Sequence, residues 1–275
     1  MPWATSGIAR YDGFSIDQYA NVVAAARSKF ANDIFQIVGY ANARLMIAPA
    51  RADTTTTTDL SVNAYTCTWD ADIAARLSQL GLGYAQTFAS ASSQYGTVPD
   101  AANLSFGDGT TDSPFSIVVL ANVTNTAAGR PLLTKFRSDS TDSEYQLVIG
   151  ATDLLEFYMR DASVPTVCYR VSDAAITMGS QRLYSVTYDG GGGATAANGI
   201  ILQQDASTIA STATNSGTYV AMENLGLAVA VGAYANGTAF IDGSVQMSLL
   251  VAGVLSSTQL TDIKTAVNLF YGTSL

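Results

Sequence analysis

The chain has 275 residues, 48% of them hydrophobic and only 13% charged, with a net charge of −9 and no histidine. An acidic chain with no basic cluster lacks the cations that displace counterions from nucleic acid, and an anionic membrane surface repels it. Without histidine it also lacks the usual general base and the commonest transition-metal ligand.

The size admits one large β domain with an appendage, or two domains. Lysine occurs only at positions 29, 135 and 264, so Thr, Ser, Asn, Gln and Ala must cover much of the surface. No stretch reaches the 18 or so apolar residues of a membrane span, so membrane insertion is not expected. The opening "MPWATSGIARYDGF" lacks a basic stretch followed by an apolar one, so no secretory signal is expected.

Ser15-Ile16-Asp17-Gln18 forms a capping box, and Tyr19, Val22, Val23, Ala26 and Phe30 follow at helical spacing. A helix is predicted from Ile16 to about Phe30. The following "DIFQIVGYANARLMIA" suits a strand or further helix. Trp3, Phe14, Tyr19, Phe30 and Phe35 are apolar anchors that either pack on their own domain or dock on a partner. Pro49 and Thr54–Thr58 mark an extended linker or edge strand. A short helix is predicted next, with Asp70 as N-cap, Ile73, Leu77 and Leu80 on one face and Gly81 as stop. Residues 1–81 thus read as an N-terminal arm for attachment or assembly, and 82–275 as a β domain.

From Leu82 the pattern is β. Strands are predicted at Phe115–Ala121, Pro131–Arg137, Glu144–Ile149, Leu154–Arg160, Thr166–Val171, Arg182–Tyr188, Gly199–Gln204, Leu225–Val231, Thr238–Ile241 and Ser244–Val251. Asp189 and Gly190–Gly193 form a loop, and Asp242-Gly243 is a hairpin signal. A final helix opens at Ser256, with Gln259 completing a capping box and Leu260, Ile263 and Val267 facing inward. Cys67 and Cys168 sit in strand-like runs and read as buried thiols, although distant cysteines of this kind can also pair.

The segment "FASASSQYGTVPDAANLSFGDGTTDSPFSIVVLANV" resembles the start of the concanavalin A-like, laminin G-type jelly roll. Phe88, Tyr95, Val98, Pro99, Leu104, Phe106, Phe115 and Ile117 stand at that family's strand and turn positions. "LLTKF", "EYQLVIG" and "LLEFYMRD" resemble its central hairpins, and Phe240, Gly243, Leu255, Ser256 and Ile263 match its closing strand and helix. The resemblance spans about Leu82 to Tyr271 and implies an antiparallel two-sheet sandwich with an N-terminal helical or extended arm and a short C-terminal helix.

The same fold hosts glucanases with a Glu-x-Asp-x-x-Glu strand, which sets two carboxylates on one face. That motif is missing, and Glu144, Glu156 and Glu223 stand apart in sequence, so an enzyme is not expected. Calcium in some family members would need dense loop carboxylates, whereas Asp108, Asp112, Asp139 and Asp142 read as turn formers, so neither metal nor cofactor is expected. A lectin site would draw on Tyr188, Asp189, Tyr234 and Asn236, with Asp242 of the same type, although Asp189-Gly190 and Asp242-Gly243 also suit ordinary turns.

An exported-looking composition without an export signal points to a virion surface, assembled in the host cytoplasm. The expectation is a non-enzymatic bacteriophage capsid decoration or head-fibre protein exposing a lectin-like sandwich. Its partners would be other capsid or tail proteins, further copies of itself and host glycans. The alternatives are a tail component, or a carbohydrate-binding module of a cellular surface protein.

Overall fold

The computed structural model describes residues 16–50, 53, 55–70, 76–125, 128–139 and 142–275. Trp3, Phe14, Ser15 and Ile73 lie outside them, as does the side chain of Tyr19. Helix α1 (Ile16–Val38) runs past Phe30 because Ile34, Phe35 and Val38 extend the buried stripe begun by Phe30 and Ala31. Gly39, at φ 86°, ends it in the left-handed region. The ambiguous segment that follows therefore holds both helix and strand, since β1 (Ala43–Ile47) comes next.

The described residues between 43 and 80, assigned above to an arm, contribute strands to both sheets. They supply β1, β2 (Thr56–Thr58), β3 (Thr66–Trp69) and β4 (Leu77–Leu80). Leu77 to Leu80 is a strand rather than the predicted helix, because Gly81 (φ 57°) turns the chain back at once into β5 (Gly83–Phe88). A Cβ at Gly81 would lie 2.4 Å from the Tyr271 backbone, so glycine is required there. Asp70 Oδ1 accepts from the Tyr95 amide (2.9 Å), and the residues it was expected to cap, 71–75, lie outside the described ones.

The remaining strands are β6 (Gly96–Val98), β7 (Phe115–Asn125), β8 (Arg130–Lys135), β9 (Tyr145–Ile149), β10 (Leu155–Asp161), β11 (Thr166–Ser172), β12 (Arg182–Tyr188), β13 (Ile200–Gln204), β14 (Ser207–Thr208), β15 (Ser211–Thr214), β16 (Val229–Val231) and β17 (Asp242–Ala252), followed by helix α2 (Ser257–Tyr271). Residues 225–228 and 238–241 are irregular, against expectation. Asp242-Gly243 is not a hairpin but the start of β17. There Asp242 accepts from the Ser90 amide (2.5 Å) and hydroxyl (2.7 Å), and a Cβ at Gly243 would strike Asn122 O at 1.9 Å.

Two sheets result, the antiparallel sandwich expected from the sequence. One runs β14-β13-β12-β7-β17-β5-β4, with β1 also paired to β17; the other runs β15-β11-β10-β9-β8-β16-β6-β3-β2. Between them lies the main core, including Phe88, Phe106, Phe115, Tyr145, Phe157 and Tyr188. The eight-stranded sheet has a second buried face. Val118, Leu120, Leu183, Met247 and Leu249 pack there beneath Ile34 and Val38 of α1 and Ile263 and Val267 of α2. Burial on both faces explains why β7 reads as an unbroken apolar run. Helix α1 is fastened by Phe30 stacked on Phe270 (4.4 Å) and by Arg27 Nη2 donating to Ala48 O (2.6 Å). In the nine-stranded sheet, β8, β9 and β16 are buried throughout, whereas β10 alternates: Leu155, Phe157, Met159 and Asp161 are buried, while Glu156, Tyr158 and Arg160 are half-exposed.

Candidate functional site

The four residues proposed for glycan contact fall in two places. Tyr188 closes β12 and is fully buried. Its hydroxyl donates to Asp112 Oδ2 (2.8 Å) and accepts from the Gly192 amide (2.8 Å), and its ring meets Phe115 edge-on. Tyr219 donates to the same Asp112 oxygen (2.8 Å), and the Met222 amide donates to Oδ1 (2.8 Å). Tyr188 is therefore core rather than platform, since its apolar neighbours and β12 position point it between the sheets. Asp189 is exposed, and its Oδ1 accepts from the Gly191 amide (2.8 Å), which makes it a turn former.

Tyr234 and Asn236 lie in the turn after β16. Asn236 donates from Nδ2 to Ser138 Oγ (3.2 Å), and its Oδ1 accepts from the Thr238 hydroxyl (3.2 Å). Its amide thus holds two loops together. Tyr234 is half-buried and tilted against Phe136 (6.1 Å between centroids).

Tyr234 belongs to a larger assembly on the outer face of the nine-stranded sheet. Strand register builds it. Gln146 pairs with Tyr158, and Tyr158 pairs with Tyr169, so the three form one row across β9, β10 and β11. Val148, Glu156 and Val171 form the adjacent row. Arg160 opposite Val167 continues the face on the other side of Tyr158. Tyr158 and Tyr169 stack at 4.9 Å with their planes 25° apart. Arg160 Cζ sits 5.9 Å from the Phe136 ring centroid.

The electrostatics of this face are distinctive. Glu156 is partly buried, which pushes its carboxyl above the usual value, although Tyr158 donates to its Oε2 (2.8 Å). Burial first, and Glu156 second, push the Tyr158 phenol well up, and both also raise Tyr234. Both phenols stay protonated at neutral pH. Gln146 is 5% exposed, and its Oε1 is buried with no hydrogen-bond partner; Arg160 Nε is likewise buried and unpartnered. Buried polar atoms in native folds are nearly always paired; Gln246 Oε1 and Ser248 Oγ on β17 are in the same state.

The remaining carboxylates are occupied elsewhere. Lys135 Nζ reaches Glu144 (2.8 Å) and Asp100 (2.7 Å) in the interior. Glu223 accepts from the Ala162 and Ser163 amides (2.7 and 2.8 Å). Burial pushes Asp161 up, but the Ser163 hydroxyl and the Val220 and Val164 amides hold it below the ordinary carboxylate value. Among the described residues no three His, Cys, Asp or Glu side chains are placed to hold a metal ion, and Cys67 and Cys168 are separate buried thiols.

The outer face was partly readable, since Glu156, Tyr158 and Arg160 alternate in "LLEFYMRD". The pairing of Tyr158 with Tyr169 needs the register of β10 with β11, which the sequence does not display.

The architecture is a two-sheet antiparallel β-sandwich of jelly-roll type. No protein-family model and no curated protein sequence matches this chain. Among solved structures it is similar to a botulinum neurotoxin type C structure (10% identity, TM-score 0.57, covering 83% of this chain and 52% of that one). It is also similar to the botulinum neurotoxin serotype G binding domain (10% identity, TM-score 0.58, covering 85% and 54%). A third is the binding domain of Paraclostridial Mosquitocidal Protein 1 (11% identity, TM-score 0.59, covering 86% and 56%). The chain spans about half the length of these structures.

Proposed function

We propose that this protein is a non-enzymatic, carbohydrate-binding β-sandwich whose glycan lies on the outer face of the nine-stranded sheet. The observation that carries the reading is the stacked pair Tyr158–Tyr169, flanked by Tyr234 and set over the unpartnered Gln146 carbonyl. Tyrosine rings offer an apolar face to the C–H face of a sugar and a hydroxyl to its oxygens. Glu156, beside Tyr158, accepts a sugar hydroxyl. Such a floor of rings with a few convergent polar groups is the general form of a small-ligand site. The fold likeness supports the reading in kind: the type C neurotoxin is described as dependent upon interaction with two ganglioside molecules.

The setting we propose is a virion surface, with capsid or tail proteins and further copies of the chain as partners. This rests on composition alone, above all the 13% charge and three lysines, which suit surfaces that pack side by side.

A glycan array followed by calorimetry tests the binding reading. The intact protein is expected to bind a defined set of oligosaccharides. Tyr158→Ala and Tyr169→Ala are each expected to weaken that binding roughly tenfold, with Tm nearly unchanged, because both rings are half-exposed. A folded protein that binds no glycan, or variants that bind like the parent, would sink the reading.

A further inference from the structure

Two polar groups on the outer face call for opposite partners. Gln146 Oε1 needs a donor, and Arg160 needs an acceptor. The other arginines with a buried unpartnered nitrogen, Arg76 and Arg182, pair with Asp70 and Asp205 through other atoms; the Arg160 guanidinium has no hydrogen bond or ion pair among the described residues. Its nearest acid by pairing is Glu144, whose carbonyl accepts from the Arg160 amide (2.7 Å). The Glu144 carboxylate, however, is turned to Lys135 (2.8 Å). Glu156 lies four residues along the same strand, about 13 Å away at strand rise. The Phe136 ring, 5.9 Å from Cζ, steadies the guanidinium; Nε is buried, and the two Nη groups are the ones left for a ligand.

We infer that this face selects glycans bearing a carboxylate sugar, and that Arg160 reads the carboxylate. The inference rests on the glycan platform argued above. On a chain of net charge −9, an acidic saccharide is repelled unless a specific cation receives it. Arg160 is such a cation, and its planar fork matches a carboxylate with two parallel hydrogen bonds. The polarity of the face also fixes direction. The carboxylate sugar sits at the Arg160 end, and a neutral, hydroxyl-rich sugar crosses Tyr158 toward Glu156. The reverse placement sets carboxylate against carboxylate.

The test uses the full chain and matched probes: sialylated and uronic-acid oligosaccharides, each beside its carboxyl-reduced counterpart, with sulfated glycans as a third arm. The acidic members are expected to bind tenfold or more tightly than their reduced partners, in line with a hydrogen bond to a charged group. Arg160→Gln removes that preference and leaves neutral binding in place. Arg160→Lys keeps the charge, loses the fork and retains only part of the preference, which covers the case of a misfolded Gln variant. Equal binding of acidic and reduced members, a preference that survives Arg160→Gln, or stronger binding of sulfated glycans overturns the assignment while the platform stands. Absence of binding to every glycan overturns both.

Discussion

Glu144 is the residue whose burial has the clearest consequence in solution. Burial pushes its carboxyl up to about 7, against the pull of Lys135, the Leu225 amide and the Ser105 hydroxyl. A carboxyl raised in the folded state binds its proton more tightly there than in the unfolded chain. Its stabilisation is complete below the unfolded value and is lost as pH rises through about 7. Burial likewise raises Asp59, Asp112 and Glu156. The protein is therefore expected to melt several degrees higher at pH near 5 than near 8, and Glu144→Gln should flatten that slope. Thermal scans across this range decide it; a Tm that climbs toward pH 8 would contradict the argument. Residue types of this kind were visible in the sequence, but their partners were not. Tyr188 had the composition of a ligand platform, yet the pairing of β12 with β7 places it against Phe115 and Asp112.

Elements were legible where a single physical rule decided them. The capping box of α2 is present as read: Ser256 Oγ accepts from the Gln259 amide (3.2 Å), and Gln259 Oε1 accepts from the Ser256 amide (3.0 Å). Ser256→Ala should cost about 1 kcal/mol, measured by denaturant unfolding. Strands β8 to β13 fell within a few residues of expectation because alternation or an apolar run marks them. Leu77–Leu80 misled because Leu77 and Leu80 also satisfy helical spacing, and only the turn at Gly81 against Tyr271 decides for a strand. Residues 238–241 misled because Phe240 and Ile241 are apolar, whereas their backbone bonds locally and to a side chain: Ile241 N donates to Gly232 O (2.9 Å), and Arg130 Nη1 donates to Phe240 O (2.7 Å). The outward alternation of β10 was readable as a face, and its partner row on β11 was not.

At the scale of the whole molecule, the question is what the first 81 residues contribute. Read from sequence, they formed an arm for attachment or assembly. In the structure, β1 and β4 lie in one sheet and β2 and β3 in the other. Cys67 and Trp69 enter the main core, and Phe30, Ile34, Phe35 and Val38 cover the eight-stranded sheet together with α2. Asp59 ties the two regions, accepting from the Met46 amide (2.7 Å) and the Ser61 hydroxyl (2.5 Å). A chain beginning at residue 82 loses four strands and the helix, and exposes Val98, Phe88 and the apolar face of β17. It is expected to be aggregated or to lack a cooperative melt. Phe30→Ala in the full chain should cost about 3–5 kcal/mol, because it removes the ring stacked on Phe270. If the shortened chain instead melts cooperatively near the Tm of the parent, residues 1–81 are an appendage after all. They would then be free to dock on another protein, as the virion-surface reading requires of an attachment arm. If it fails to fold while the full chain remains a monomer in light scattering, the N-terminal segment belongs to the fold. Any assembly contact must then be sought on the described surface rather than in α1 to β4.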